Sequence, residues 1–123
     1  MTAPAASHQK AATRILLVED DVFVRLMTFD LLVEFGYEVV EASTGAEARE
    51  LFANRPDIVI TDINLPDIDG LDLASEFRAM APGVPIIIAS GNAAAPGVSY
   101  IWLQKPFRST GLQDAITRAL LPE

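Results

Sequence analysis

The chain contains no cysteine, so disulfide bridges and thiolate metal centres are excluded. It has a single histidine, His8, set in the small, polar N-terminal stretch MTAPAASHQKAAT. No function is read there, and His8 does not resemble a phosphorelay histidine on a helix bundle. That stretch also lacks the apolar core of a secretory signal. No apolar run approaches the roughly 18 residues that a membrane-spanning helix needs. Basic residues are scarce: 9 Lys and Arg stand against 17 Asp and Glu, a net charge of −8. They are scattered rather than striped, which argues against direct nucleic-acid binding. The expected setting is therefore the cytoplasm, with neither nucleic acid nor a membrane as partner.

What is present is enough apolar material for one core. The chain has 123 residues, of which 50% are hydrophobic. That length suits a single domain. Residues 1–13 read as a flexible tail and residues 14–123 as the domain.

Short β-branched runs alternate with segments of helical spacing. RILLV (Arg14 to Val18) is apolar throughout, as a central parallel strand would be. Next, Val22, Leu26, Phe29 and Val33 recur at helical intervals, with Asp21 placed to cap the start and Gly36 to end it. YEVVEA (Tyr37 to Ala42) reads as a second strand. STGAEARELFANR reads as a helix capped by Ser43 or Thr44, with Ala46, Leu51 and Phe52 toward one side. DIVIT (Asp57 to Thr61) is a third strand, GLDLASEFRAMAP a helix stopped near Pro82, and VPIIIAS (Val84 to Ser90) a fourth strand. SYIWLQ (Ser99 to Gln104) is a weaker fifth strand, and STGLQDAITRALL a closing helix. This alternation predicts an α/β doubly wound fold with a parallel sheet.

In such a sheet functional groups gather at the carboxyl ends of the strands. Those ends carry Glu19 and Asp20, then Asp62, Ser90 and Lys105. Carboxylates about 4 Å apart repel by roughly 4 kcal/mol per pair at an effective dielectric near 20. Such a cluster raises its pKa values or binds a hard cation. Mg²⁺ suits oxygen ligands and completes its shell with water and phosphate oxygens. A carboxylate held this way can attack phosphorus to give an aspartyl-phosphate. The metal and a fixed Lys⁺ would offset charge on the equatorial oxygens, and a hydroxyl at Ser90 could hydrogen-bond one of them.

Four motifs stand in order at these strand ends: ILLVEDD, VITDINLPDIDGLDL, IIIASG and LQKPFR. Together they make the chain, from about Arg14 to Leu121, resemble the receiver domains of response regulators in two-component signalling. The resemblance implies a five-stranded flavodoxin-like sheet of order 2-1-3-4-5. It implies Asp62 as phosphoacceptor, with Glu19, Asp20, Asp62 and the backbone carbonyl of Asn64 placing Mg²⁺. Ser90 would be the switch hydroxyl, Lys105 the partner of Asp62 and then of the phosphoryl group, and Trp102 the switch aromatic. The Lys105–Pro106 bond is expected to be cis. The implied partner is a histidine kinase or a histidine phosphotransfer protein, and a homodimer is left open.

Two other motifs fail in the same stretch. DIDGL resembles the signature of haloacid-dehalogenase-type phosphatases, but Leu65 and Pro66 separate it from the strand. An EF-hand would need an acid where Leu65 stands. Asp67 and Asp69 are assigned structural roles in the turn before the third helix, Asp69 as its cap. The segment GNAAAPGVS (Gly91 to Ser99) departs from the family. It is too short for the usual fourth helix, and Pro96 and Gly97 oppose one. Nine extended residues span about 30 Å, enough for a bare crossover. The fourth helix is therefore expected to be a turn or absent. The usual output surface would then be altered, which favours a stand-alone switch, phosphate shuttle or sink. The chain is not expected to be an enzyme acting on free substrates. The alternative is a non-switching interaction module with the same fold.

Overall fold

The computed structural model describes residues 12–94, 97 and 99–121. The expected tail lies almost wholly outside the described residues. Five strands form one parallel sheet: β1 (Arg14–Val18), β2 (Glu38–Ala42), β3 (Ile58–Asp62), β4 (Ile86–Ser90) and β5 (Ile101–Gln104). Their order is β2-β1-β3-β4-β5, and every pairing is parallel. Four helices connect or follow them: α1 (Val22–Glu34), α2 (Gly45–Phe52), α3 (Gly70–Met80) and α4 (Ser109–Leu120). This is the expected flavodoxin-like architecture.

The side-chain alternation of the strands divides the interior in two. Leu16, Val18, Val59, Ile86 and Ile88 face α2 and α3, where Phe52 and Phe77 stack with centroids 4.0 Å apart. Ile15, Leu17, Ile58, Ile60 and Ile87 face the other way, toward Leu32 of α1 and Leu112 and Ile116 of α4. Central strands β3 and β4 are buried along their whole length, which explains their unbroken apolar runs.

Local chemistry sets the helix ends. The Asp21 carboxylate accepts hydrogen bonds from the N–H groups of Phe23 and Val24 at 2.9 and 3.0 Å, capping α1. Gly36 follows α1 with φ of 98°, a left-handed conformation that glycine adopts without strain. Thr44 caps α2 through the N–H of Glu47, and the Glu47 carboxylate returns to the N–H of Ser43. Asp69 caps α3 through the N–H of Leu71, as expected.

Several details differ from the sequence reading: β2 begins one residue later than expected, and β4 and β5 each two residues later. The stripe Val22, Leu26, Phe29, Val33 does not supply α1's buried face; Thr28 and Leu32 are buried, while Val22, Leu26 and Val33 are about half exposed. Helix α1 is apolar on both faces, so periodicity could not say which faces inward. Ala46 is exposed, and Gly45, Ala48 and Phe52 carry the buried face of α2. Strand β3 begins one residue later than expected and includes Asp62. The bare crossover is as expected: among the described residues between Ser90 and Ile101 no helix forms.

Phe77 is fully buried and Phe23 is 82% exposed. Urea titration should therefore show Phe77→Ala losing about 3–5 kcal/mol. Phe23→Ala should stay within about 0.5 kcal/mol of the parent.

Candidate functional site

Because the strands are parallel and in register, their carboxyl ends share one rim. Thr61 pairs with Val18 and Asp62 with Ala89, so Glu19, Asp62 and Ser90 arrive together. Ser90 pairs with Gln104, which brings Lys105 to the same end. The Lys105 N–H donates to the Ser90 carbonyl at 2.6 Å, tying the two strand ends. The Lys105–Pro106 peptide is cis.

Lys105 is the hub. Its Nζ lies 2.7 Å from Glu19 Oε1 and 3.4 Å from Asp62 Oδ2. Glu19 and Asp62 are only 3% and 8% exposed. One ammonium thus serves two buried carboxylates, and the closer contact is to Glu19. The second oxygen of Glu19 accepts the Asp21 N–H at 3.1 Å. Burial pushes the Glu19 carboxyl above its ordinary range; the hydrogen bonds from Lys105 and Asp21 pull it back in part, and Asp62 pushes it up again.

Backbone contacts fix the acids. The Thr61 hydroxyl donates to the Asp62 carbonyl at 2.9 Å. Gly70 packs against that same peptide: a Cβ there would lie 2.0 Å from the Asp62 carbonyl oxygen and 2.7 Å from Ile63 Cα. No side chain fits, so Gly70 is a requirement of the loop rather than mere helix punctuation. Asp67 reaches back to α2, where its carboxylate accepts the N–H groups of Gly45 and Ala46 at 2.8 and 2.9 Å. Those bonds hold its carboxyl below the usual carboxylate range. Asn64 bridges Asp69 across the same turn. The sequence carried no signal for the Asp67 contact, since its partners lie 22 and 21 residues away.

Ser90 is 3% exposed and its hydroxyl accepts the N–H of Asn92 at 3.1 Å. The Asn92 carbonyl in turn accepts the Trp102 indole N–H at 2.8 Å. Trp102 is half-buried and packs on the α2–α3 side of the sheet with Tyr100. The Arg78 guanidinium lies over the Tyr100 ring at 4.1 Å and donates to the Ser99 hydroxyl.

Of the expected residues, Glu19, Asp62 and Lys105 meet directly, and Ser90 stands on the adjoining strand end. Asp20 follows Glu19 and is exposed. Among the described residues, no three acidic or histidine side chains form a ready-made cation cage. The donor set still suits a hard cation. Glu19, Asp20 and Asp62 stand at the ends of β1 and β3, and among the described residues Lys105 is the ammonium paired to Glu19 and Asp62. Two negative charges are left over, and Mg²⁺ characteristically uses few protein ligands and keeps its waters. Glu19, Asp20, Asp62 and the Asn64 backbone carbonyl remain the groups expected to hold it.

Comparison with known proteins places this geometry. The family model described as response regulator receiver domain matches residues 15–117. The chemotaxis protein CheY of Bacillus subtilis is 35% identical over 118 residues, covering 89% of this chain and 98% of that protein. The structure of CheY4 from Vibrio cholerae superposes with a TM-score of 0.83 at 28% identity, over 89% of this chain and 100% of that one. The response regulator TrrA of Thermotoga maritima, solved in complex with Mg²⁺ and BeF, gives a TM-score of 0.80 at 30% identity, over 88% and 99% of the two chains.

Glu19's raised carboxyl fixes the sign of a pH effect. A raised folded pKa gives stability that is present below the unfolded value, near 4.3, and is lost as pH rises through the folded value. Lys105→Met removes the counter-charge and should raise Glu19 further. Urea unfolding from pH 4 to 8 should show stability falling more steeply with pH in Lys105→Met than in the parent. The Glu19 proton contributes at most about 1.4 kcal/mol per pH unit to that slope.

Proposed function

This chain belongs to the response regulator receiver domain family of two-component signalling, and from that premise we propose that it takes a phosphoryl group onto Asp62. The observation that carries the proposal is the buried Asp62 carboxylate 3.4 Å from the Lys105 ammonium at the sheet's carboxyl rim. An oxygen of Asp62 attacks phosphorus, the donor's bond to phosphorus breaks, and an acyl phosphate forms. If the donor is a phosphohistidine, its imidazole leaves with the electrons of that bond and takes up a proton from solvent. Lys105 is placed to follow the charge onto the phosphoryl oxygens, releasing part of its hold on Glu19. The Ser90 hydroxyl can donate to one of those oxygens by exchanging its Asn92 contact for it. Glu19, Asp20, Asp62 and the Asn64 carbonyl would hold Mg²⁺, which when bound would neutralise charge on the phosphoryl group. The receiver thereby accepts and passes on phosphate; it does not turn over free substrates.

The donor proposed is a histidine kinase or a histidine phosphotransfer protein. Val22, Phe23, Leu26 and Met27 of α1 are all at least half exposed. Of these, Met27 lines a groove of about 380 Å³ together with Val24, Gly91, Lys105, Pro106 and Phe107. An exposed apolar patch around a charged centre marks a protein interface. An apolar helix carrying the donor imidazole fits that patch. The second reading, a non-switching module, draws on the Trp102–Asn92 tether, which pins the aromatic side chain to the rim.

Incubation with acetyl phosphate and magnesium should add one phosphoryl mass to the parent and none to Asp62→Asn. Absence of uptake from both acetyl phosphate and a protein donor would instead support the module. Met27→Glu and Phe23→Ala should slow transfer from a phosphohistidine protein at least about tenfold, the effect of losing one interface anchor. Uptake from acetyl phosphate should be unchanged, because the small donor does not use the helix.

A further inference from the structure

Glu19 and Asp20 must be presented at a fixed angle to the rim, and the next question is what holds their peptide. The Glu19 N–H donates to the Ala42 carbonyl at 3.0 Å. The Glu19 carbonyl accepts from Arg25 Nη1 at 2.8 Å. Arg25 projects from α1 and its Nε lies 3.3 Å from Glu41 Oε1. Consecutive residues at the end of β2 thus grip both sides of Glu19, Ala42 directly and Glu41 through the arginine. The Arg25 side chain is largely buried, at 19% exposure. Its planar fork serves a carbonyl and a carboxylate at once, in a fixed geometry that an ammonium on a flexible stem does not impose.

We propose that Arg25, braced by Glu41, is the positioning residue that fixes the Glu19–Asp20 peptide and so sets the affinity of the acidic rim for Mg²⁺. The proposal rests on the magnesium reading above. Arg25 does not touch the cation or the phosphoryl group; it acts through the peptide that carries Asp20. Groups that orient metal ligands in this way change affinity by about 10–100-fold when removed.

Charge alone predicts the opposite sign. Deleting a cation beside an acidic site strengthens its attraction for Mg²⁺. A weaker Mg²⁺ affinity in the variant therefore reports lost geometry and not lost charge.

The test is calorimetric titration of the whole chain with MgCl₂ at constant ionic strength, with the thermal midpoint measured separately without magnesium. Arg25→Met keeps the apolar stem and removes both donors. It should bind Mg²⁺ about 10–100-fold more weakly than the parent. Arg25→Lys restores one donor and should fall between the two, a rescue that a purely packing role would not give. If Arg25→Met does not fold, weaker binding by Arg25→Lys than by the parent supports the proposal. Affinities in the folded variants equal to or tighter than the parent's overturn it while leaving the magnesium reading intact. A parent chain that shows no saturable Mg²⁺ uptake overturns both.

Discussion

Two carboxylates buried beside one ammonium set the terms for the rest of the molecule. Glu19 and Asp62 share Lys105, and no arrangement of one positive charge satisfies both. The site is therefore held in a state of unmet electrostatic demand. The fold supports that state with backbone contacts: Ala42 and Arg25 on the Glu19 peptide, Gly70 and Thr61 on the Asp62 peptide, Ser90 on Lys105. A phosphoryl group brings oxygens for the ammonium, and a divalent cation brings charge for the acids. Each relieves a strain that the sheet otherwise maintains at its own expense.

The two halves of the interior have different duties. The α2–α3 side, with its stacked Phe52 and Phe77, anchors the turn after Asp62 through Asp67 and Gly70. The α1–α4 side presents an apolar surface next to Lys105 and the cis peptide. The turn after Asp62 is thus anchored from one face of the sheet, and the Glu19 carbonyl is held by Arg25 of α1 on the other.

Much of this was legible in the sequence. Unbroken apolar runs announced β1, β3 and β4, because strands covered on both faces leave no polar alternation. Acids, a hydroxyl and a lysine at the ends of those runs were enough to bring Glu19, Asp62, Ser90 and Lys105 to one rim, since parallel strands align their carboxyl ends. Pro96 and Gly97 in a nine-residue segment told against a helix there. The inward face of α1 was not legible, since Val22, Leu26 and Val33 are as apolar as Leu32, and only packing chooses among them. Arg25 and Arg78, and the contact that Asp67 makes with α2, were missed for a common reason: each acts through a contact with backbone or ring across the fold, and a charged residue on a helix or in a loop reads by default as solvated. Gly70 showed as a cap neighbour, but its closeness to the Asp62 peptide is a tertiary fact.

The bare passage from β4 to β5 has a thermodynamic corollary. Strand β3, which carries the Asp62 carboxylate, is zipped to a neighbour on both sides, whereas β5 is zipped on one. Local opening begins where the fewest ladders must break. Lys105 hangs from the end of that outermost strand, so partial unzipping withdraws the cation and leaves the acids behind. Mutual repulsion between Glu19 and Asp62 then opposes any compact state without Lys105, which couples one edge of the sheet to its charged rim. The counter-ion doubles as a clasp: closing the edge of the sheet and quenching the rim become a single event.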